Sequence, residues 1–136
     1  MLTDAGPLIA LINRNERHHA SCLAVANRLK AEPLLTTWPC FAEAMHLVGR
    51  AGGHRFQRAL WALWERGALE LHEPTVAEIG RMAALMEKYR DTPMDLGDAS
   101  LVATAESVGA TRIFTLDGDF RVYRLASGAA LEVVPS

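Results

Sequence analysis

Met1-Leu2-Thr3-Asp4-Ala5-Gly6-Pro7-Leu8-Ile9-Ala10-Leu11-Ile12 opens the chain, and it holds the corner from which the fold class follows. Met1-Leu2-Thr3 reads as a short buried strand. Asp4-Ala5-Gly6-Pro7 then turns the chain into an apolar helix ending near Asn13, with the proline in the first turn, where its missing N–H costs nothing. A strand that feeds directly into a helix is half of a βα unit, and the question is whether the alternation recurs.

It recurs along the whole chain. From His18 to Lys30, Cys22, Val25, Ala26 and Leu29 return at helical spacing until Ala31-Glu32-Pro33 stops the run. Leu34-Leu35-Thr36 forms a second strand, and Thr37 caps a third helix with Trp38 and Pro39 in its first turn. That helix continues through Ala42 to Val48, and Gly49, Gly52 and Gly53 are expected to break it. A helix over His54–Arg66, a strand over Leu69–His72, and helices over Thr75–Tyr89 and Leu96–Val108 follow. Arg112-Ile113-Phe114-Thr115 and Leu131-Glu132-Val133-Val134 supply the last strands, with a short helix between them. Strands separated by helices cannot pair as hairpins. The expected fold is therefore α/β, with a central, mainly parallel sheet of about five short strands flanked by helices and joined by right-handed crossovers.

With 136 residues, 50% of them hydrophobic, the chain has material for one core and is expected to form a single domain over residues 1–136. The run from Leu8 to Ile12 is short and lacks a basic flank, so it does not read as a signal peptide, and no apolar stretch approaches the ~20 residues of a membrane span. A soluble, cytoplasmic protein is expected. Cys22 and Cys40 form no CxxC pair and read as free thiols on helix faces. The histidines show no metal-ligand spacing. A net charge of -2 excludes a generally basic nucleic-acid coat, so any such binding needs a local patch. Arg50, Arg55, Arg58 and Arg66 against the single acid Glu65 form one, and a solvated helix face explains the same run equally well.

In an open parallel sheet the binding crevice lies beyond the carboxyl ends of the strands. Asp4 directly follows the first strand and Asp117 lies two residues past Thr115. Glu43 lies one to two turns into the helix after the second strand, and Asp98 is in the first turn of the helix before the fourth. Each also has a local reading. Asp4 suits a helix cap, Asp95 and Asp98 have the spacing of a capping box, and Asp117 and Asp119 suit a turn about Gly118. Glu43 sits in so apolar a stretch, Phe41-Ala42-Glu43-Ala44-Met45, that burial is expected, and a buried lone carboxylate is costly. Acids aimed at one place repel one another. They coexist if some are protonated or if a hard divalent cation such as Mg²⁺ or Mn²⁺ lies among them, and phosphoryl chemistry is the usual reason to hold one.

Four segments together resemble the PIN domain, most closely the VapC-type toxin ribonucleases: Leu2-Thr3-Asp4-Ala5-Gly6-Pro7-Leu8-Ile9-Ala10-Leu11, Phe41-Ala42-Glu43-Ala44, Pro93-Met94-Asp95-Leu96-Gly97-Asp98-Ala99-Ser100-Leu101-Val102 and Thr115-Leu116-Asp117-Gly118-Asp119-Phe120. The resemblance implies a PIN-like three-layer fold and a Mg²⁺- or Mn²⁺-dependent endoribonuclease that hydrolyses RNA phosphodiesters with a metal-activated water. It makes Asp4, Glu43 and Asp98 the core catalytic and metal-binding acids and Asp117 the fourth. Asp95 becomes a cap or a group behind the ligands, Asp119 a substitute for Asp117 under another alignment of the loop, and Thr115 a hydroxyl that positions water or a carboxylate. Arg50, Arg55 and Arg58 would contact RNA. A homodimer and a cognate antitoxin protein are the implied partners, and Trp61 and Trp64, with Leu60 and Leu63, offer a surface for such contacts or simply core packing. A degenerate PIN-like module that only binds RNA or protein, and a PIN-like nuclease acting on DNA, are the rival functions.

Overall fold

The two-residue strand Leu2–Thr3 (β1) is the central strand of the sheet in the computed structural model, which describes residues 1–135. After it come α1 (Ala5–Ile12), α2 (His19–Arg28), β2 (Leu34–Thr37), α3 (Trp38–Gly52) and α4 (His54–Glu65). The chain continues with β3 (Leu69–His72), α5 (Val76–Lys88), α6 (Leu96–Val108), β4 (Arg112–Phe114), a 3-10 turn (Gly118–Arg121) and β5 (Glu132–Val134). The strands run in the order β3-β2-β1-β4-β5 and every neighbouring pair is parallel. In register, Leu2 lies opposite Leu35 on one side and Ile113 on the other.

This order decides where a site can form. The chain builds outward from β1 through β2 to β3, then returns to β1's other side for β4 and β5, so the winding direction reverses between β1 and β4. Connections leave on opposite faces at such a reversal and open a crevice beyond the strand carboxyl ends. Asp4 extends the β1–β4 ladder by donating its N–H to the Phe114 carbonyl at 2.9 Å. The residue after β1 is thereby set beside the residues after β4.

Burial follows the residue pattern. Leu8, Phe41, Leu60, Leu69, Leu85, Leu101 and Ile113 are all within one core, and a smaller cluster of Ala10, Cys22, Val25 and Phe114 is closed by α2. In α6 every residue from Asp98 to Ala105 is buried, so that helix is enclosed on all sides, which its run of Ala, Val, Leu and small hydroxyl residues permits. One boundary departs from expectation. Helix α3 runs straight through Gly49 to Gly52 and stops only before Gly53, whose φ is 69°. A Cβ at Gly49 would meet Gln57, and one at Gly52 would collide with the Phe56 ring, so these glycines permit α4 to fold back closely on α3. Among the described residues no helix is long and apolar enough to cross a membrane.

Candidate active site

Asp4 begins α1 as its N-cap, with Oδ1 accepting the Ala5 N–H at 2.7 Å. Its other oxygen accepts a hydrogen bond from the Thr115 hydroxyl at 2.8 Å. Thr115 Oγ1 in turn accepts the Asp117 N–H at 3.0 Å, so one buried hydroxyl fixes both a carboxylate after β1 and the backbone after β4. Asp95 and Asp98 form a capping box at the start of α6, with Asp98 N–H donating to Asp95 Oδ1 at 2.8 Å and Asp95 N–H to Asp98 Oδ2 at 3.3 Å. Asp117 accepts the Asp119 N–H at 2.9 Å. The local roles that sequence offered as alternatives to a site are all present. They do not compete with it, because the same hydrogen bonds that cap the helices set the carboxylates' direction.

One oxygen from each of Asp4, Asp98 and Asp117 lies within 4.8 Å of the others. The three open into a cleft of about 340 Å³ that is also lined by Glu43, Asp95, Gly6, Ile9, Leu47 and Leu116. Asp117, ranked fourth on the resemblance, belongs to the tight group, and Asp119 does not line the cleft. Glu43 lines the cleft but stands outside that group, and its side chain is exposed instead of buried. The reason lies in the faces of α3. Cys40, Phe41, Ala44 and Val48 turn inward, whereas Glu43 and Leu47 border the open cleft. Burial of Glu43 alone therefore does not compel a cation; partial burial of the acids together with their proximity is what strains this site.

Electrostatics support that reading. No lysine, arginine or histidine is among the described residues lining the cleft. Burial pushes the Asp98 carboxyl up to about 7, with Asp95's charge adding to it against opposing hydrogen bonds. Burial also raises Asp4, with further lift from Asp117 and Asp95, although the Thr115 and Ala5 hydrogen bonds hold it down in part. Glu43 is raised by desolvation and by Asp4 and Asp95. An all-oxygen donor set, crowded, negatively charged and lacking a basic counter-ion, fits a hard divalent cation of the Mg²⁺ or Mn²⁺ type.

Two elements of the site escaped sequence reasoning. The Thr37 and Ser100 hydroxyls meet at 2.6 Å and Ser100 donates to the Gly97 carbonyl at 2.7 Å, joining the start of α3 to the start of α6. Cys40 lies beneath, with Sγ 3.8 Å from Asp4 Oδ1, and burial together with that charge pushes its thiol up to about 12. Such a thiol stays protonated and serves as packing. Tyr123 is buried and donates from its hydroxyl to Asp98 Oδ2 at 3.1 Å. Only the long-range fold brings it there, and nothing in its local sequence signals the contact. Arg50, Arg55 and Arg58 are exposed and lie off the cleft, Arg58 within 3.5 Å of Glu65 and Arg55 over the Phe56 ring. Leu60 is fully buried, Trp61 and Leu63 partly, while Trp64 remains half exposed.

The PIN domain family matches residues 1–125. Ribonuclease VapC26 of Mycobacterium tuberculosis is 29% identical over 136 residues, which covers 99% of this chain and 100% of that protein. Among solved structures, VapC20 of Mycobacterium tuberculosis, described as a sarcin-ricin loop cleaving toxin, has a TM-score of 0.80 at 20% identity, over 89% of this chain and 92% of that one. VapBC2 from Rickettsia felis, bound to a DNA fragment from its promoter, has a TM-score of 0.67 at 12% identity, over 97% of this chain and 95% of that one. A toxin-antitoxin complex from Klebsiella pneumoniae has a TM-score of 0.61 at 26% identity, over 88% of each chain. The first two structures, at such low identity, speak to the fold alone.

Proposed function

This chain belongs to the PIN domain family, and from that premise we propose that it is a Mg²⁺- or Mn²⁺-dependent endoribonuclease acting as the toxin of a toxin–antitoxin pair. The observation that carries the proposal is the gathering of Asp4, Asp98 and Asp117 within 4.8 Å, at the crevice where the parallel sheet reverses its winding. The likeness to a ribonuclease, VapC26, and to a toxin-antitoxin complex from Klebsiella pneumoniae supports the substrate class and the partner.

Asp4, Asp98 and Asp117 would hold the cation, with Glu43 and Asp95 at the edge of the same cleft. A bound divalent ion supplies Lewis-acid activation of water and neutralises charge that builds on the phosphate during in-line displacement. The chain's own contribution is preorganisation. Thr115 and the Ala5 N–H fix Asp4, and the Asp95 N–H and Tyr123 hold Asp98, so the acids need little rearrangement when phosphate arrives. Glu43, exposed and with its carboxyl raised, faces the open side of the cleft, where it can accept a proton from the attacking water. Ile9, Leu47 and Leu116 give the cleft an apolar wall beside the acids.

The test is cleavage of single-stranded RNA, structured RNA and single-stranded DNA side by side, with Mg²⁺, with Mn²⁺ and with chelator. RNA cleavage that chelator stops is the expected result. Exclusive cleavage of DNA rejects the substrate, and binding of RNA without cleavage under every metal condition rejects the enzyme.

A further inference from the structure

Tyr123 is 2% exposed, and its hydroxyl ends on Asp98 Oδ2 at 3.1 Å. Its ring is clamped edge-on by Phe120, with centroids 5.3 Å apart at 84°, and by Tyr89, 5.1 Å apart at 64°. The Tyr89 hydroxyl accepts the Arg124 N–H at 2.9 Å, so the clamp is itself tied to the backbone next to Tyr123. Rotation of the Tyr123 side chain away from Asp98 would require both rings to move.

The hydrogen bonds on Asp98 are unevenly shared. Both the Tyr123 hydroxyl and the Asp95 N–H donate to Oδ2, and among the described residues none donates to Oδ1. On Asp4, by contrast, both oxygens receive donors, Oδ1 the Ala5 N–H and the Cys40 thiol and Oδ2 the Thr115 hydroxyl. Tyr123 itself does not line the cleft. We infer that Tyr123 is a positioning residue: its hydroxyl anchors Oδ2 of Asp98 on the protein side and leaves Oδ1 for a divalent cation, so cation affinity depends on a group that contacts neither cation nor RNA. The inference rests on the metal-dependent reading of the cleft. Supporting groups of this kind typically change metal affinity about 10- to 100-fold when removed, because the ligand loses its fixed direction and not its charge. The competing explanation is that a buried tyrosine hydroxyl merely found a convenient acceptor.

Mn²⁺ binding, measured from the free-ion electron paramagnetic resonance signal on the whole protein, separates the two. Tyr123→Phe keeps the ring and the clamp and removes only the donor. It should weaken Mn²⁺ binding about 10-fold or more, whereas Thr104→Val, which removes a buried hydroxyl that meets no hydrogen-bond partner among the described residues, should bind Mn²⁺ as the unaltered protein does. Substituting 4-aminophenylalanine for Tyr123, which restores a donor at the ring tip, should recover most of the affinity. Unchanged binding in Tyr123→Phe, equal weakening in Thr104→Val, or no recovery with the restored donor would each overturn the positioning role. Asp98→Asn serves as the reference for the site: if it abolishes binding while Tyr123→Phe binds normally, the cation reading stands and only the inference falls. If the unaltered protein binds no Mn²⁺, both fall together.

Discussion

Asp98 carries two loads, capping α6 and facing Asp4 and Asp117, and its proton affinity records the conflict. With the folded carboxyl raised to about 7 from 3.8, the folded protein retains a proton across that interval which the unfolded chain has released. Its stabilising contribution is therefore complete below about pH 4 and is lost as pH rises through about 7. In chelator, the melting temperature should fall as pH is raised from about 5 to about 8, and Asp98→Asn should remove most of that slope. Mn²⁺ should restore stability more at the upper pH than at the lower, where protons compete for the same oxygens. A flat profile in chelator would mean that burial and the neighbouring acids do not hold a proton on Asp98. At this scale Asp4, Asp98, Asp117 and Thr115 are legible in the sequence because each sits next to a strand end or helix start, where local pattern and site geometry coincide. Glu43 is legible as a member of the cleft but not as exposed, since an apolar pentapeptide does not reveal which helix face borders a groove. Tyr123 is illegible, as its partner is distant in sequence and only the folded chain brings the two together.

Elements show the same division between local and long-range information. Helix α6 spans the residues that periodicity assigns to it, Leu96–Val108, and the other strands and helices fall within a few residues of their expected bounds. Helix α3 overruns its expected end because glycine reads locally as a breaker, while its use here, close approach by α4, depends on a tertiary contact. The placement of β4 beside β1 likewise cannot be read from any one segment, although it creates the crevice. The end of β3 is fastened to α5 and α6 through Glu78, which receives His72 Nε2 at 2.6 Å and the Ser107 hydroxyl at 3.1 Å. Burial alone would raise Glu78, but the His72 and Ser107 hydrogen bonds outweigh it and leave the carboxyl lowered from 4.5. A lowered carboxyl contributes stability that is present above its unfolded value and is lost as pH falls through the folded one. Acid unfolding of the protein should therefore become shallower in Glu78→Gln, followed by circular dichroism below about pH 5. An unaltered acid limb would remove this fastening from the account of stability.

For the whole molecule, a net charge of -2 and an acid-lined cleft mean that the proposed RNA substrate would have to be drawn in by a limited set of cations. Arg55 and Arg58 are exposed, and the surface pair that Arg58 makes with Glu65 is of the kind worth about 0–1 kcal/mol, weak enough for a phosphate to displace. Replacing both by alanine should weaken RNA binding and reduce the salt slope by about 1.4, at about 0.7 for each single-strand phosphate that is no longer neutralised. An unchanged slope would return these arginines to an ordinary solvated helix face. Such contacts position RNA without selecting it, so they bear on affinity and leave the choice of target to other features of the substrate. Whether the acids form a metal-dependent site is decided by RNA cleavage with Mg²⁺ or Mn²⁺ in Asp4→Asn and Asp98→Asn, with circular dichroism verifying the fold of each. Such a site requires folded variants whose activity is reduced at least about 100-fold, since each loses a charge required for metal-assisted hydrolysis. Full activity retained in both would contradict it.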